Sequence, residues 1–241
     1  MLEKTSGIVL NQIKYTDSGI IVQLFTRKFG RQSFMIKGIR NRKSGRQTSL
    51  FRPLTVLDMV IYYRESRNMQ SLREVSVEFA PSEIYGNVFK SSIAMFLGEV
   101  LTAVLREEGE QDELFSFIRD SVVYFDGRKE SFSNFHIAFL TGLCSYLGFE
   151  PGKREDEEKR VFDLVNGSFV SLPPVHGLYS GAEISDILAA FFRSSWDDMN
   201  QISLTGEMRN EVLSELLRYY SVHLPSLGKI NSIEILREVF R

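Results

Sequence analysis

The chain has 241 residues, with 29 Lys+Arg against 31 Asp+Glu, 43% hydrophobic residues and one cysteine. This composition is typical of a globular protein with one large or two small domains, and a single cysteine excludes an internal disulfide framework. No apolar run reaches the roughly 20 residues of a membrane-spanning helix, and the first residues resemble no export signal, so we expect a cytoplasmic protein.

The net charge of −2 hides a strong asymmetry along the chain. Residues 1–80 contain 14 basic and 6 acidic residues, whereas residues 81–241 contain 15 basic and 25 acidic ones. No acidic residue lies between Asp17 and Asp58. Unpaired positive charge is easily explained if phosphates are its partners, so we expect the first part to bind a polyanion. The phosphate-binding candidates are Arg27, Lys28, Arg31, Lys37, Arg40, Arg42, Lys43 and Arg46.

The first 80 residues have the pattern of strands. Segments rich in β-branched residues lie at about 7–10, 20–26, 32–37, 54–63 and 69–79. Turn-forming residues separate them, and the polar, basic residues 39–49 predict a loop. Five strands in about 75 residues, with no helices between them, predict a small barrel of the OB-fold type. Such a barrel presents one sheet face and its loops to single-stranded nucleic acid.

Helical periodicity begins at Pro81. Helices are predicted at about 82–105, 111–125, 133–147, 181–193, 206–223 and 231–240. Ser180 and Glu183 have the spacing of a capping box for the fourth helix. Asn166-Gly167 is a strong hairpin signal and places a small lobe at about 149–175. The predicted fold is therefore α+β, with an OB-fold domain at 1–80 and a mostly helical domain at 81–241.

Aromatic and titratable residues give weaker signals. Phe29, Phe34, Tyr62 and Tyr63 are candidates for stacking on unpaired bases, although aromatics on strands also serve as core residues. Cys144 lies on an apolar helix and is interpreted as a core residue, and the three histidines have no ligand spacing. The sequence contains no phosphate-binding loop, dinucleotide-binding, zinc-protease or serine-hydrolase motif. We therefore expect no catalytic site.

Three stretches together resemble the RecO family over nearly the whole chain. They are Leu24-Phe25-Thr26-Arg27-Lys28-Phe29-Gly30-Arg31 followed by Lys37-Gly38-Ile39-Arg40-Asn41-Arg42-Lys43-Ser44, then Phe96-Leu97-Gly98-Glu99-Val100-Leu101 with Leu114-Phe115 and Leu147-Gly148-Phe149-Glu150-Pro151, and finally Lys229-Ile230-Asn231-Ser232. The resemblance implies an OB-fold that binds single- and double-stranded DNA, anneals complementary strands and supports recombination in the bacterial nucleoid. It also implies RecR and single-stranded-DNA-binding protein as partners, and RecA indirectly.

One departure from the family concerns zinc. Many relatives carry two pairs of cysteines after the segment Leu147–Pro151, and this chain has none there. Structural zinc sites take four ligands, mostly thiolate or imidazole. We therefore expect no zinc, and a lobe held by its hairpin and by apolar packing of Phe162, Leu164, Phe169 and Val170.

The resemblance also implies that the acidic tail of single-stranded-DNA-binding protein docks on the helical part. The sparse cations that could receive it are Arg119, Arg128, Lys129 and Arg209.

Two other functions remain open. One is a protein-interaction adaptor whose basic barrel holds an acidic partner, and the other is an RNA-binding OB protein. Steep salt dependence of DNA binding would favour the recombination mediator that the resemblance implies. A partner without DNA affinity would favour the adaptor.

Overall fold

Five antiparallel strands form the N-terminal sheet. The computed structural model describes residues 1–16, 19–37, 49–105, 109–154 and 156–240. The strands are β1 (Leu2–Thr16), β2 (Gly19–Thr26), β3 (Gly30–Lys37), β4 (Val56–Tyr62) and β5 (Ser71–Phe79). Their order in the sheet is β3-β2-β1-β4-β5. A parallel bridge from Phe34 to Gln70 brings the β3 edge to the start of β5 and curls the sheet into an OB-like barrel. The predicted fold class is confirmed.

The interior of the barrel is filled by alternate residues of its strands. Val22, Leu24, Phe34, Leu57 and Ile61 are fully buried and belong to one apolar cluster. Because successive side chains of a strand point to opposite faces, their neighbours lie on the outer face. The strand alternation therefore determines which side chains point away from the barrel interior.

Three helices follow the barrel: α1 (Ser82–Gly86), α2 (Val88–Val104) and α3 (Asp112–Gly127). Helix α2 contacts β1 at Gly98, where a Cβ atom would lie 2.6 Å from the carbonyl oxygen of Leu10 and 3.4 Å from Cβ of Pro53. Only glycine allows so close an approach of helix and strand without a shift.

The same helix holds the start of the last helix, α7 (Ser232–Val239). The carboxylate of Glu99 accepts hydrogen bonds from the backbone N–H of Asn231 at 2.9 Å and of Ser232 at 2.8 Å, and also from the Ser232 hydroxyl. Burial is the largest single influence on the pKa of Glu99 and raises it. The hydrogen bonds together outweigh burial, so the pKa is lowered. A charged carboxylate at a helix N-terminus satisfies N–H groups that have no partner within the helix.

The remaining elements form a second compact unit. They are α4 (Phe135–Tyr146), β6 (Val161–Asp163), β7 (Ser168–Val170), β8 (Tyr179–Ser180), α5 (Ala182–Arg193), the 3-10 turn Asp198–Gln201 and α6 (Gly206–His223). β6 and β7 form the predicted hairpin, with Gly167 at φ 57°. The predicted capping box is wrong, because Gly181 is the N-cap of α5 and the Ser180 hydroxyl donates instead to Glu215 at 2.8 Å.

The compact units differ from the two predicted domains, 1–80 and 81–241. One unit comprises Met1–Gly127 and Ile230–Leu236, and the other comprises Arg128–Lys229 and Arg237–Arg241. The change from strands to helices near residue 80 is therefore not a boundary between compact units, because α2 and α3 pack on the barrel. No helix in the described ranges is long and apolar enough to cross a membrane.

The contact at Gly98 generates a prediction about stability. Gly98→Ala should lower the free energy of unfolding by about 1–3 kcal/mol, because the added methyl group must displace the backbone of β1 or α2. Gly127→Ala is the matched control, since nothing lies within 4 Å of a Cβ atom there. Urea unfolding of both variants measures the difference, and equal stabilities would contradict the described contact.

Candidate nucleic-acid interface

The helices cover one half of the outer face formed by β1, β2 and β3. Leu10 and Phe25 point outward on this half and are buried. Phe25 stacks on Phe115 of α3, with 6.1 Å between ring centroids. Arg31, on the outer face of β3, donates a hydrogen bond to the carbonyl oxygen of Thr102 in α2. This half of the face is therefore part of the packing within the first unit.

The other half of the same face is open. Strand pairing aligns Ile13, Ile21 and Met35 in one row across the three strands, and Asn11, Gln23 and Ser33 in the next row. Ile13 is 49% exposed and Tyr15 is 58% exposed. We call the surface formed by these two rows, together with Tyr15 at the end of β1, the open half-face. It is an apolar surface bordered by polar side chains.

A β-bulge in β1 marks the boundary between the two halves. The register with β2 shifts between Val9 and Asn11, so that Leu10 is the additional residue. Bulges bend and twist the strand that contains them. Beyond the bulge, β1 continues with β2 as a hairpin whose end pairs Thr16 with Gly19. A second register shift between Lys14 and Thr16 makes Tyr15 an additional residue there. The hairpin end lies beside Lys37, because Gly19 also pairs with Lys37.

The structure separates the predicted phosphate-binding residues into two groups. Arg27, Lys28 and Arg31 lie at the β2–β3 turn and the first part of β3. Lys37 is the last residue of β3. It lies about 20 Å from Arg31, because the two are six residues apart along an extended strand. Arg40, Arg42, Lys43 and Arg46 lie outside the described residues, as does most of the predicted loop at 39–49.

Carboxylates from distant parts of the chain compensate the positive charge of the β2–β3 turn. Arg27 Nε lies 3.1 Å from Asp112 Oδ1, and its Nη2 donates to the Ser116 hydroxyl at 3.1 Å. Lys28 Nζ lies 3.6 Å from Glu3 Oε2. The sequence has no acidic residue between Asp17 and Asp58, but in the folded chain the carboxylates of Glu3 and Asp112 lie beside this turn. Arg27 and Arg31 both connect the barrel to its helices.

The base-stacking candidates have different surroundings. Phe34 has no exposed surface, so its prediction as a stacking residue is corrected to a core residue of the barrel. Phe29 is partly buried and stacks on Tyr63, with 4.0 Å between centroids and 17° between planes. Tyr62 is 48% exposed but lies on β4, outside the open half-face. Sequence reasoning missed Tyr15, because residues 12–16 of β1 are all exposed and no alternation with buried residues marks it.

A further cationic segment lies between β4 and β5. The buried side chain of Gln70 accepts from the backbone N–H of Arg64 at 2.9 Å and donates to the carbonyl oxygens of Arg64 and Arg67, each at 2.9 Å. Gln70 N–H also donates to the carbonyl oxygen of Ser33 at 2.8 Å. These bonds fix the loop beside β3 and leave the exposed Arg64 and Arg67 at its surface.

The predicted tail-docking cations are divided between the two compact units. Arg119 belongs to the first unit and pairs with Glu78 at 2.6 Å and Asp120 at 2.9 Å. Arg128, Lys129 and Arg209 belong to the second unit. Arg128 lies 3.9 Å from Asp197, and Lys129 is exposed.

Arg209 is the most enclosed of these cations. Its Nε donates to Asn134 Oδ1 at 3.0 Å and its Nη2 donates to the carbonyl oxygen of Leu204 at 3.1 Å. Burial lowers the pKa of this guanidinium. Its contacts are those of a residue that orders the second unit.

The described residues offer little catalytic or metal chemistry. They contain no group of three or more His, Cys, Asp or Glu side chains that could hold a metal ion. Burial raises the pKa of the Cys144 thiol to about 12, so it is not a thiolate nucleophile near neutral pH. Burial and the charge of Arg209 lower the pKa of His136 to about 3, which keeps it neutral.

Comparisons with known proteins agree over the whole chain. The family model for the recombination protein O N-terminal domain matches residues 1–79, and the model for its C-terminal domain matches residues 86–229. The DNA repair protein RecO of Phocaeicola vulgatus is 36% identical over all of both chains. RecO of Bacteroides fragilis is 34% identical and RecO of Porphyromonas gingivalis is 30% identical, again over all of both chains.

The compensated turn generates a prediction that separates stability from binding. The double variant Arg27→Ala/Arg31→Ala should lower the free energy of unfolding by about 1–3 kcal/mol, because hydrogen bonds of charged groups are lost. The slope of DNA affinity against salt should stay unchanged. Lys37→Ala should instead reduce that slope by about 1, the effect of removing one phosphate contact. A reduced slope for the double variant would show that the turn binds phosphate.

Proposed function

The chain belongs to the RecO family of DNA repair proteins, and on that premise we propose that it is a non-enzymatic recombination mediator. It binds single- and double-stranded DNA, anneals complementary strands and helps to load a recombinase onto DNA coated with single-stranded-DNA-binding protein. RecR and single-stranded-DNA-binding protein are its direct partners, RecA is an indirect one, and its place is the bacterial nucleoid.

The observation that carries this proposal is the open half-face. Two helices bury one half of this sheet face, whereas apolar side chains on the other half remain uncovered. Such an uncovered apolar surface is unusual and indicates a binding site. Tyr15 and Ile13 project from this surface, and Lys37 ends the strand at its edge. Bases of a single strand stack on such aromatic and apolar side chains, while cations follow the backbone.

Contacts to phosphate position a strand without reading its sequence. In this account Lys37, Arg40, Arg42, Lys43 and Arg46 bind phosphates of the same strand. Arg64 and Arg67 border the open half-face on the β4–β5 side. Lys28 contributes less, because Glu3 lies 3.6 Å away. Binding is therefore expected to depend weakly on base sequence and steeply on salt.

The proposed stacking role is tested by two exposed tyrosines. Tyr15→Ala should weaken binding of a labelled single-stranded oligonucleotide by about tenfold, within the roughly 1–3 kcal/mol that one stacked base contributes. Tyr62→Ala, which removes a similarly exposed ring from β4, should change the affinity by less than about twofold. Fluorescence anisotropy at two salt concentrations measures both. If wild type does not bind single-stranded DNA at low salt, the mediator function is refuted in favour of the adaptor, and tighter binding of RNA would favour the RNA-binding alternative.

We also propose that the lobe needs no zinc. Asp163 occupies its centre: Oδ1 accepts from the backbone N–H of Val165 at 2.8 Å and of Asn166 at 3.1 Å, and Oδ2 accepts from the Asn166 amide at 2.7 Å. His176 Nε2 lies 3.2 Å from the same carboxylate. These donors occupy the oxygens that a metal would need, and no thiolate is present in the described lobe.

A second carboxylate completes this metal-free arrangement. Asp186 of α5 accepts from Arg154 at 2.6 Å and from Arg160 on its other oxygen, so it joins two arginines of the segment before β6. These arginines lower the pKa of Asp186. Phe162 and Phe169 of the hairpin pack against each other, with 4.9 Å between ring centroids.

A chelator tests the metal-free lobe. Incubation with excess EDTA should leave the thermal midpoint of unfolding unchanged within about 1 °C, whereas Asp186→Asn should lower it because two arginines lose their charged partner. Elemental analysis of the purified protein supplies the control. Stoichiometric zinc together with a midpoint that EDTA lowers would overturn the proposal.

A further inference from the structure

A small cleft lies between the segment that precedes β4, helix α1 and the first half of α2. Its volume is about 320 Å³, and it is lined by Arg52, Pro53, Tyr85, Ser91, Ala94 and Met95. All six residues belong to the first unit. The cleft has an apolar floor and one cation at its rim.

The ring of Tyr85 is held in a fixed orientation. Its hydroxyl lies 2.6 Å from the Thr55 hydroxyl and donates to the carbonyl oxygen of Pro53 at 3.0 Å. Burial raises the pKa of Tyr85 to about 12, so the hydroxyl stays protonated near neutral pH. The guanidinium of the exposed Arg52 lies over this ring, with Cζ 5.0 Å from the centroid. The pair combines an aromatic ring with an exposed cation.

Helix α2 adds an exposed apolar stripe to the cleft. Val88, Ser91 and Met95 follow the helical spacing of one face, and Val88 and Met95 are exposed. Phe89 next to them is also exposed. Of these residues, Ser91 and Met95 line the cleft together with Arg52, so a ligand there would meet both apolar and cationic groups.

The cleft is continuous with the strand that carries the open half-face. Leu54 N–H donates to the carbonyl oxygen of Val9 at 2.7 Å, and Val9 N–H donates to that of Thr55 at 2.9 Å. Pro53 therefore sits against β1 just before the bulge that begins the open half-face. Ala94 lies one helical turn, about 5.4 Å, from Gly98, the residue that contacts Leu10.

We propose that this cleft binds one unpaired base of a single strand, with Arg52 on the adjacent phosphate. The strand passes from Tyr15 and Ile13 along β1 to the cleft. Guanidinium planes and aromatic rings both stack on bases, and a single cation beside a small apolar floor matches one nucleotide. The inference rests on the proposed function and adds a second, separate contact to it.

Two variants and two matched controls test the cleft. Arg52→Gln and Met95→Ser should each weaken binding of a single-stranded oligothymidine by about three- to tenfold. Val123→Ser and Arg73→Gln remove an apolar side chain of similar exposure and an exposed arginine from outside the cleft, and they should change the affinity by less than about twofold. Fluorescence anisotropy gives the affinities.

Photo-cross-linking gives a readout that a structural effect would not mimic. An oligonucleotide containing 5-iodouracil should cross-link to a peptide that contains Tyr85 or Met95, and Met95→Ser should reduce that adduct more than the one formed at Tyr15. Circular dichroism confirms that the variants are folded.

The outcomes separate this inference from the proposed function. If Tyr15→Ala weakens binding but the cleft variants neither weaken it nor lose a cross-link, the cleft is refuted and the mediator function stands. If wild type binds no single strand, both are refuted. Binding of an acidic peptide with an apolar end that depends on Arg52 and Met95, with nucleic-acid binding unaffected, would assign the cleft to a protein partner and overturn the inference.

Discussion

The backbone of α2 passes β1 so closely at Gly98 that no side chain fits between the helix and the carbonyl oxygen of Leu10. This contact fixes where the helix lies on the barrel. From that position α2 receives Arg31 at Thr102 and holds the start of α7 through Glu99. It also decides which part of the sheet is covered. The open half-face exists because the helices end their coverage at the bulge in β1.

The cations at the two ends of β3 lie on different parts of the sheet. At the β2–β3 turn, arginines connect strands to helices, and distant carboxylates compensate them. At the far end of β3, Lys37 lies beside the hairpin end and an apolar surface. A cation that is already paired within the protein gains less from a phosphate, because it exchanges one partner for another. A DNA strand should therefore lie along the far end of the barrel rather than at the turn.

Local pattern was sufficient for the number of strands in the barrel and for the Asn166-Gly167 hairpin, because each depends on neighbours in the sequence. It did not show that β1 extends over Leu2–Thr16, or that the helix predicted at 82–105 is divided into α1 and α2 at Asn87. It failed where partners are distant. The sequence interval without acidic residues could not show that Glu3 and Asp112 lie beside Lys28 and Arg27. It could not show that Phe34 is inside the barrel or that Tyr15 lies outside, since a one-residue shift in register exchanges the two faces. Ser180 had the capping spacing, yet it bonds to Glu215.

The most direct test of the account is hydrogen–deuterium exchange of the whole protein with and without a saturating single-stranded oligonucleotide. Bound DNA should slow exchange in segments 11–16, 19–23 and 33–37, and leave the turn at 26–31 unchanged. Protection confined to the turn at 26–31, with the open half-face exchanging as in the free protein, would contradict the central claim.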